Sequence, residues 1–205
     1  MKYIFIAGAP GSKWSSVSKN IYYSTSIDRT DHTEARTYHH DASGEMLLMH
    51  QGAYFDPGME VDLPVDLSTL SKVEVERRFD EPFSGTGVRI IKSHIFAHNI
   101  DYIKHTWPYS PIVLVRRTND ACLGWWVKCG HFNITYPLYN KYYIDLKHMA
   151  EHIKNQNADI TVAWNKYAGC VPLNNFALAH VLGIAIPGEE YWQNYTQADI
   201  EVKVI

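Results

Sequence analysis

Short runs of apolar residues alternate along this chain with stretches whose apolar positions return every three or four residues. Residues 3–7 (Tyr-Ile-Phe-Ile-Ala) are β-formers that end at Gly8, and residues 15–23 continue as a helix, so the chain opens as strand, glycine loop, helix. Residues 24–58 are polar and irregular, with the turn residues Asp56-Pro57-Gly58 and a short apolar patch at 46–49. Ser68 stands where an N-cap belongs, and Leu70, Val73, Val75 and Phe79 fall on one helical side before Pro82 ends the run. Residues 88–92 read as a second buried strand, 99–106 as a short helix and 111–115 as a third strand. Thr118 caps a helix carrying Ala121, Cys122, Trp125 and Trp126, and residues 139–155 form a longer one with Tyr143, Leu146, Met149, Ala150 and Ile153 inward. Residues 159–163 read as a closing strand, and 173–182 as a helix stopped by Gly183. Strands separated by helices imply an α/β fold: a three-layer α/β/α domain around a mostly parallel central sheet.

Composition narrows the picture. A length of 205 residues suits one domain, residues 1–205, and is short for two. With 46% hydrophobic and 20% charged residues and no low-complexity tract, nearly all of the chain is expected to be ordered. The net charge of -3 gives no global positive field for a nucleic-acid backbone or an anionic membrane, so any anion site must be local. No apolar run approaches the ~20 residues that span a bilayer. The start of the chain runs straight into its glycine loop without a signal-peptide pattern, and the expected location is cytoplasmic. Cys122, Cys129 and Cys170 lack C-x-x-C spacing, which argues against a disulfide framework or structural zinc; they read as reduced, mostly buried thiols.

The first candidate site is Gly8-Ala9-Pro10-Gly11-Ser12-Lys13-Trp14-Ser15-Ser16. It follows a strand and opens a helix, the context in which backbone N–H groups and a helix N-terminus cradle a phosphate. Lys13 adds a cation that strengthens such a contact. The kinase form of this loop, G-x-x-x-x-G-K-[ST] counted from Gly8, fails at two positions, because Lys13 stands for its second glycine and Trp14 for its lysine. A second candidate is Lys92-Ser93-His94, which ends a buried strand where parallel sheets bind ligands.

These segments together resemble the sulfotransferase family that uses 3′-phosphoadenosine 5′-phosphosulfate. Its members carry a P-[KR]-S-G-T-[ST] loop after the first strand, which Pro10-Gly11-Ser12-Lys13-Trp14-Ser15 matches loosely, and a K-T-H motif at a strand end, which Lys92-Ser93-His94 matches closely. Residues 112–126, Val115-Arg116-Arg117-Thr118-Asn119-Asp120 at their centre, resemble the family's V-x-R-N-P-x-D strand and helix, and Leu182-Gly183-Ile184 its closing L-G-I. The resemblance covers most of the chain in the right order and implies a P-loop-like fold. By this register Arg116 is the 3′-phosphate arginine, with Arg117 the neighbour that can substitute, and Gly124 stands where the family has a serine. Gly11 likewise replaces the loop lysine or arginine, which leaves that role to Lys13. The family's G-x-x-G-x-x-K donor loop is not evident in residues 188–205.

The implied reaction moves a sulfuryl group onto a hydroxyl or amine of a small-molecule or glycan acceptor and releases 3′-phosphoadenosine 5′-phosphate. His94 is the implied base, Lys92 and Lys13 stabilise the charge that grows on the sulfuryl and bridging oxygens, and Ser12 with the loop amides from Gly11 to Ser15 holds the 5′-phosphate. Ser16 completes the loop, and no metal is required. Trp14 is the better candidate for stacking on adenine, since Trp125 and Trp126 read as core. Tyr38, His39 and His40, in the irregular segment that reads as an acceptor-binding wall, are candidate acceptor contacts; His98, His148 and His152 read as solvated helix faces without a metal. Two alternatives stay open: a P-loop small-molecule kinase using ATP and magnesium, and a nucleotide-binding module without catalysis. Oligomeric state is not legible.

Overall fold

A computed structural model describes residues 1–32, 52–128, 143–187 and 199–205. Its centre is a four-stranded sheet in which β1 (Tyr3–Gly8) lies between β2 (Arg89–Lys92) and β3 (Ile112–Arg116), with β4 (Glu201–Val204) outside β3. β1 runs parallel to both neighbours, pairing Ile6 with Lys92 and Gly8 with Val115, whereas β4 is antiparallel to β3 and pairs Glu201 with Arg116. The ends of β1, β2 and β3 therefore deliver Gly8, Lys92 and Arg116 to one edge of the sheet.

Helices surround this sheet: α1 (Trp14–Tyr22), α2 (Lys72–Asp80), α3 (Ile100–Thr106), α4 (Asn119–Lys128), α5 (Leu146–Lys166) and α6 (Asn175–Leu182). Strand alternation divides the core in two. Ile4 and Ile6 pack with Trp14, Val17 and Ile21 of α1 and with residues of α4 and α6. Tyr3, Phe5 and Ala7 turn to the opposite face, against α2, α3 and the second half of α5. There Phe5, Phe79 and Phe96 meet edge to face at centroid distances of 5.6 to 6.0 Å, a geometry that aromatic quadrupoles favour. Each such ring removed from water stabilises the fold by roughly 1.5–3 kcal/mol.

Several expectations are corrected. Residues 159–163 are not a strand: they end the 21-residue helix α5, whose buried positions Met149, Ile153, Gln156, Ile160 and Ala163 recur at helical spacing. Burial along one helical stripe outweighs the β-propensity of Ile160, Thr161 and Val162. The closing strand is instead β4, where Val202 and Val204 are buried and Glu201 is exposed, the alternation of an edge strand. Ser68 lies in a short 3₁₀ turn; the helix after it starts later, capped by the Ser71 hydroxyl, which accepts the Glu74 N–H. Val73 and Leu146 are exposed, and so is the free thiol of Cys170, while Cys122 is buried and free. Gly183 does close α6 at φ 63°, in the left-handed region that glycine enters without strain. Cys129, residues 139–142, the patch at 46–49 and the greater part of 188–205 lie outside the described residues.

Candidate functional site

The loop after β1 is built from two tight reversals. Ser12 N–H donates to the Ala9 carbonyl at 3.0 Å, Gly11 takes φ 77° and Lys13 takes φ 62° before α1 begins at Trp14. Lys13 occupies the N-cap position without making a side-chain cap. The first amides of a helix have no partner within it and carry the positive end of its dipole, so this end is suited to an anion. The Ser12 hydroxyl is fully buried and has no hydrogen-bond partner among the described residues. It lies so close to Gly8 that a Cβ there would come within 2.6 Å of Ser12 Oγ. Pro10 and Ser16 are buried, and Gly11, Lys13 and Ser15 half-buried. An orphaned hydroxyl, a glycine cradle and an uncapped helix start together fit a tetrahedral oxyanion, phosphate or sulfate.

At the end of β2 the chain turns through Ser93 into a 3₁₀ segment, His94–Asn99. Lys92 is buried on the sheet face that carries Ile6, beneath α1. Burial pushes its ammonium down to about 8, opposed by the attraction of the Asp31 carboxylate. Asp31 is itself held by the Tyr22 hydroxyl at 3.0 Å and the Ala53 N–H at 2.8 Å.

His94 is also buried, and both ring nitrogens are engaged. Nδ1 lies 2.6 Å from the Gly8 carbonyl, which can only accept, so Nδ1 carries the proton and donates it. Nε2 is then the acceptor, and the Tyr54 hydroxyl donates to it at 2.7 Å. Burial lowers the basicity of His94, against the pull of Asp56 and the Gly8 contact, which keeps the ring neutral at neutral pH. The Trp14 ring covers it at 4.4 Å. Asp56 orders the turn from beneath: its Oδ1 accepts from the Ser93 hydroxyl at 2.5 Å and the His94 N–H at 2.7 Å. Its Oδ2 has no hydrogen bond among the described residues and stands 4.0 Å from His94 Nε2. Burial raises the Asp56 pKa, and His94 and these donors offset that rise only in part.

The other side of the loop faces α4. The Lys13 ammonium rests 4.0 Å above the Trp125 ring, and Lys128 lies 5.3 Å from the same ring. Arg117 donates from Nη1 to the carbonyls of Gly11 at 3.3 Å and Ala121 at 3.1 Å, tying loop to helix, while its buried Nε has no partner among the described residues. Arg116 points away, paired with Glu201 at 2.7 Å and stacked on Trp164 at 4.7 Å. Both arginines, with Asn119, Lys154 and Glu201, line an open cavity of about 660 Å³. Gly124 is exposed on α4 with open space around its α-carbon.

The structure thus gathers Gly8, Ser12, Trp14 and His94 into one cluster, leaves the buried Lys92 two residues before His94 with Asp31 as its carboxylate partner, and sets Arg116 and Arg117 in an adjoining cavity. Trp14 packs on His94 and is 2% exposed, so in this structure the indole serves the histidine; Trp126 is core. His98 and His148 each pair with a carboxylate, Asp159 and Asp145. Tyr38, His39 and His40 lie outside the described residues. Tyr54, Asp56 and Asp31 are the site residues that sequence reasoning missed. Asp56 was visible only as part of an Asp-Pro-Gly turn, and it does form that turn, its carbonyl accepting the Met59 N–H at 2.9 Å. Among the described residues no helix is long and apolar enough to cross a membrane. Comparison with protein-family models, with curated proteins and with solved structures returned no match.

Proposed function

We propose that the chain is a sulfotransferase of P-loop-like fold, which moves a sulfuryl group from 3′-phosphoadenosine 5′-phosphosulfate to a hydroxyl or amine of a small-molecule or glycan acceptor. The observation that carries this reading is the 2.6 Å hydrogen bond from His94 Nδ1 to the Gly8 carbonyl, which fastens the base directly to the oxyanion loop. That bond fixes the tautomer and leaves Nε2 as the basic atom. A neutral imidazole held in this way is prepared to take a proton from an incoming nucleophile.

The remaining residues meet the physical demands of such a transfer, which are alignment and stabilisation of charge rather than covalent chemistry. Lys92, cationic at neutral pH and shielded from water, stabilises negative charge on non-reacting oxygens more strongly than an exposed lysine does. Ser12 and the first amides of α1 hold the 5′-phosphate, and Lys13, lifted from Trp125, supplies the cation that Gly11 lacks. Arg116 and Arg117 face the cavity that receives the 3′-phosphate.

The reading as a non-catalytic nucleotide-binding module is favoured by one observation, the closure of His94 beneath Tyr54 and Trp14. The kinase reading has no such support, since Lys13 and Trp14 displace its loop residues and Asp56 is committed to the Ser93 turn. Calorimetry with 3′-phosphoadenosine 5′-phosphate, set against ATP with magnesium, separates these readings. Bisphosphate binding together with donor turnover that falls at least a hundredfold in His94→Gln supports transfer. ATP binding without bisphosphate binding sinks it, and bisphosphate binding with no turnover of the donor on any acceptor leaves the module.

A further inference from the structure

The Tyr54 hydroxyl sits on the one basic atom of His94, and its ring is held there rather than resting over it. The main chain on both sides is pinned: Ala53 N–H donates to Asp31 at 2.8 Å, Phe55 N–H to the Lys92 carbonyl at 3.3 Å, and Val61 N–H to the Tyr54 carbonyl at 3.2 Å. The ring meets Trp14 edge to face at 5.3 Å and is 5% exposed. Its oxygen donates its proton to His94 Nε2, and a phenol oxygen is a hydrogen-bond acceptor as well as a donor.

We propose that Tyr54 is a catalytic residue: the acceptor's hydroxyl or amine meets Tyr54 Oη, not His94, and the phenol relays its proton to His94. This inference rests on the sulfuryl-transfer reading. As the acceptor's oxygen or nitrogen forms its bond to sulfur and the bond from sulfur to the nucleotide's phosphate oxygen breaks, the acceptor's proton passes to Tyr54 Oη. The proton already on Tyr54 passes to His94 Nε2 in the same step, so the phenol ends as it began and the imidazole becomes imidazolium. The new positive charge lies 4.0 Å from Asp56 Oδ2, a buried carboxylate oxygen with no hydrogen bond among the described residues, which compensates it. Nδ1–H stays on the Gly8 carbonyl throughout. The arrangement makes Asp56 a positioning residue, whose Oδ1 holds the Ser93–His94 turn while Oδ2 faces the charge.

The test compares wild type, Tyr54→Phe, His94→Gln and the double variant. Release of 3′-phosphoadenosine 5′-phosphate from the donor is measured with hydroxyl and amine acceptors and with water alone, alongside calorimetry with that bisphosphate and ¹⁵N NMR of labelled histidine. The relay lowers kcat about a hundredfold in Tyr54→Phe, to the level of His94→Gln, with no further loss in the double variant. Bisphosphate affinity stays within about twofold of the wild type, which also shows that the variant folds. The His94 Nε2 resonance moves as its donor is lost. Turnover in Tyr54→Phe at or above the wild-type level overturns the proposal, because the acceptor then displaces the phenol and reaches His94 itself. An Nε2 resonance unchanged by the substitution overturns it too, as does a sulfated Tyr54 in the mass spectrum. A wild type that binds the bisphosphate yet releases none from the donor removes the transfer reading and this inference together; normal turnover with an indifferent Tyr54 removes the inference alone.

Discussion

The carbonyl oxygen of Cys122 lies so close to the α-carbon of Gly11 that a Cβ added there would sit 2.0 Å from it. This contact leaves no room for a lysine or arginine side chain at position 11. α4 packs directly onto the loop, and Gly11 at φ 77° is the only residue type that accepts both the left-handed backbone and the contact. Installing a cation as Gly11→Lys, or even Gly11→Ala, is expected to destabilise the protein by about 3 kcal/mol or more, from left-handed strain and from backbone displacement. Urea denaturation reads the loss directly. A Gly11→Ala protein as stable as the wild type would show that loop and helix are not in this contact.

A side chain at Gly124 would meet nothing among the described residues. The space around its α-carbon is open to 4 Å, and it sits inside a helix, where glycine is the least favourable residue after proline. Gly124→Ser is therefore expected to stabilise the chain by about 0.5 kcal/mol. Where that hydroxyl reaches the 3′-phosphate, affinity for 3′-phosphoadenosine 5′-phosphate rises about tenfold, the worth of one hydrogen bond to a charged group. A thermal melt and a calorimetric titration check the two effects separately, and a serine that stabilises without improving affinity would count against Arg116 and α4 as the phosphate site.

These two glycines mark the limit of what the chain discloses by itself. β1, β2, β3 and the loop were legible because each is a local pattern: a buried apolar run, then Gly8 to Trp14 at the start of a helix. The β4 alternation of Glu201, Val202, Lys203 and Val204 is equally local, but its four residues carry a weaker β-signal than residues 159–163, which lie in α5. Tyr54 and Asp56 were not legible in this way. They precede His94 by 40 and 38 residues, and nothing in an Asp-Pro-Gly turn shows that its carboxylate will be buried under a strand end. Their roles arise when residues 53–56 fold back onto Lys92, an event of tertiary packing that local pattern does not encode.

Arg116 and Arg117 are adjacent in sequence but tied to different elements, and substitutions should separate them. Arg117→Met removes the contacts to the Gly11 and Ala121 carbonyls and is expected to cost about 1–2 kcal/mol together with bisphosphate binding. Arg116→Met breaks a largely solvated pair with Glu201 and should cost under about 1 kcal/mol while weakening the bisphosphate. Glu201→Gln frees Arg116 from its competitor, and bisphosphate affinity should rise a few-fold with little change in stability. Urea midpoints and titrations of the three variants decide this, and a Glu201→Gln protein with weaker binding would place the 3′-phosphate elsewhere.

The buried Lys92 links stability to pH with a definite sign. Burial brings its ammonium down to about 8 from the ordinary 10.5, so below pH 8 folded and unfolded chains both hold the proton and the folded state bears the full cost of burying it. Between pH 8 and 10.5 the unfolded chain still binds a proton that the folded chain has released, and stability must rise with pH through this window. The gain from this one group approaches about 3 kcal/mol once both states are neutral. Lys92→Met abolishes that rise, and urea midpoints measured from pH 7.5 to 10.5 should therefore climb less steeply in the variant than in the wild type. Donor turnover moves the opposite way: if the cation stabilises departing charge, kcat falls as pH passes about 8 even while the fold grows more stable. Parallel slopes for the two proteins would mean that the Lys92 ammonium is solvated in the folded chain, and a wild-type kcat that is flat through pH 8 would take the lysine out of the transfer step.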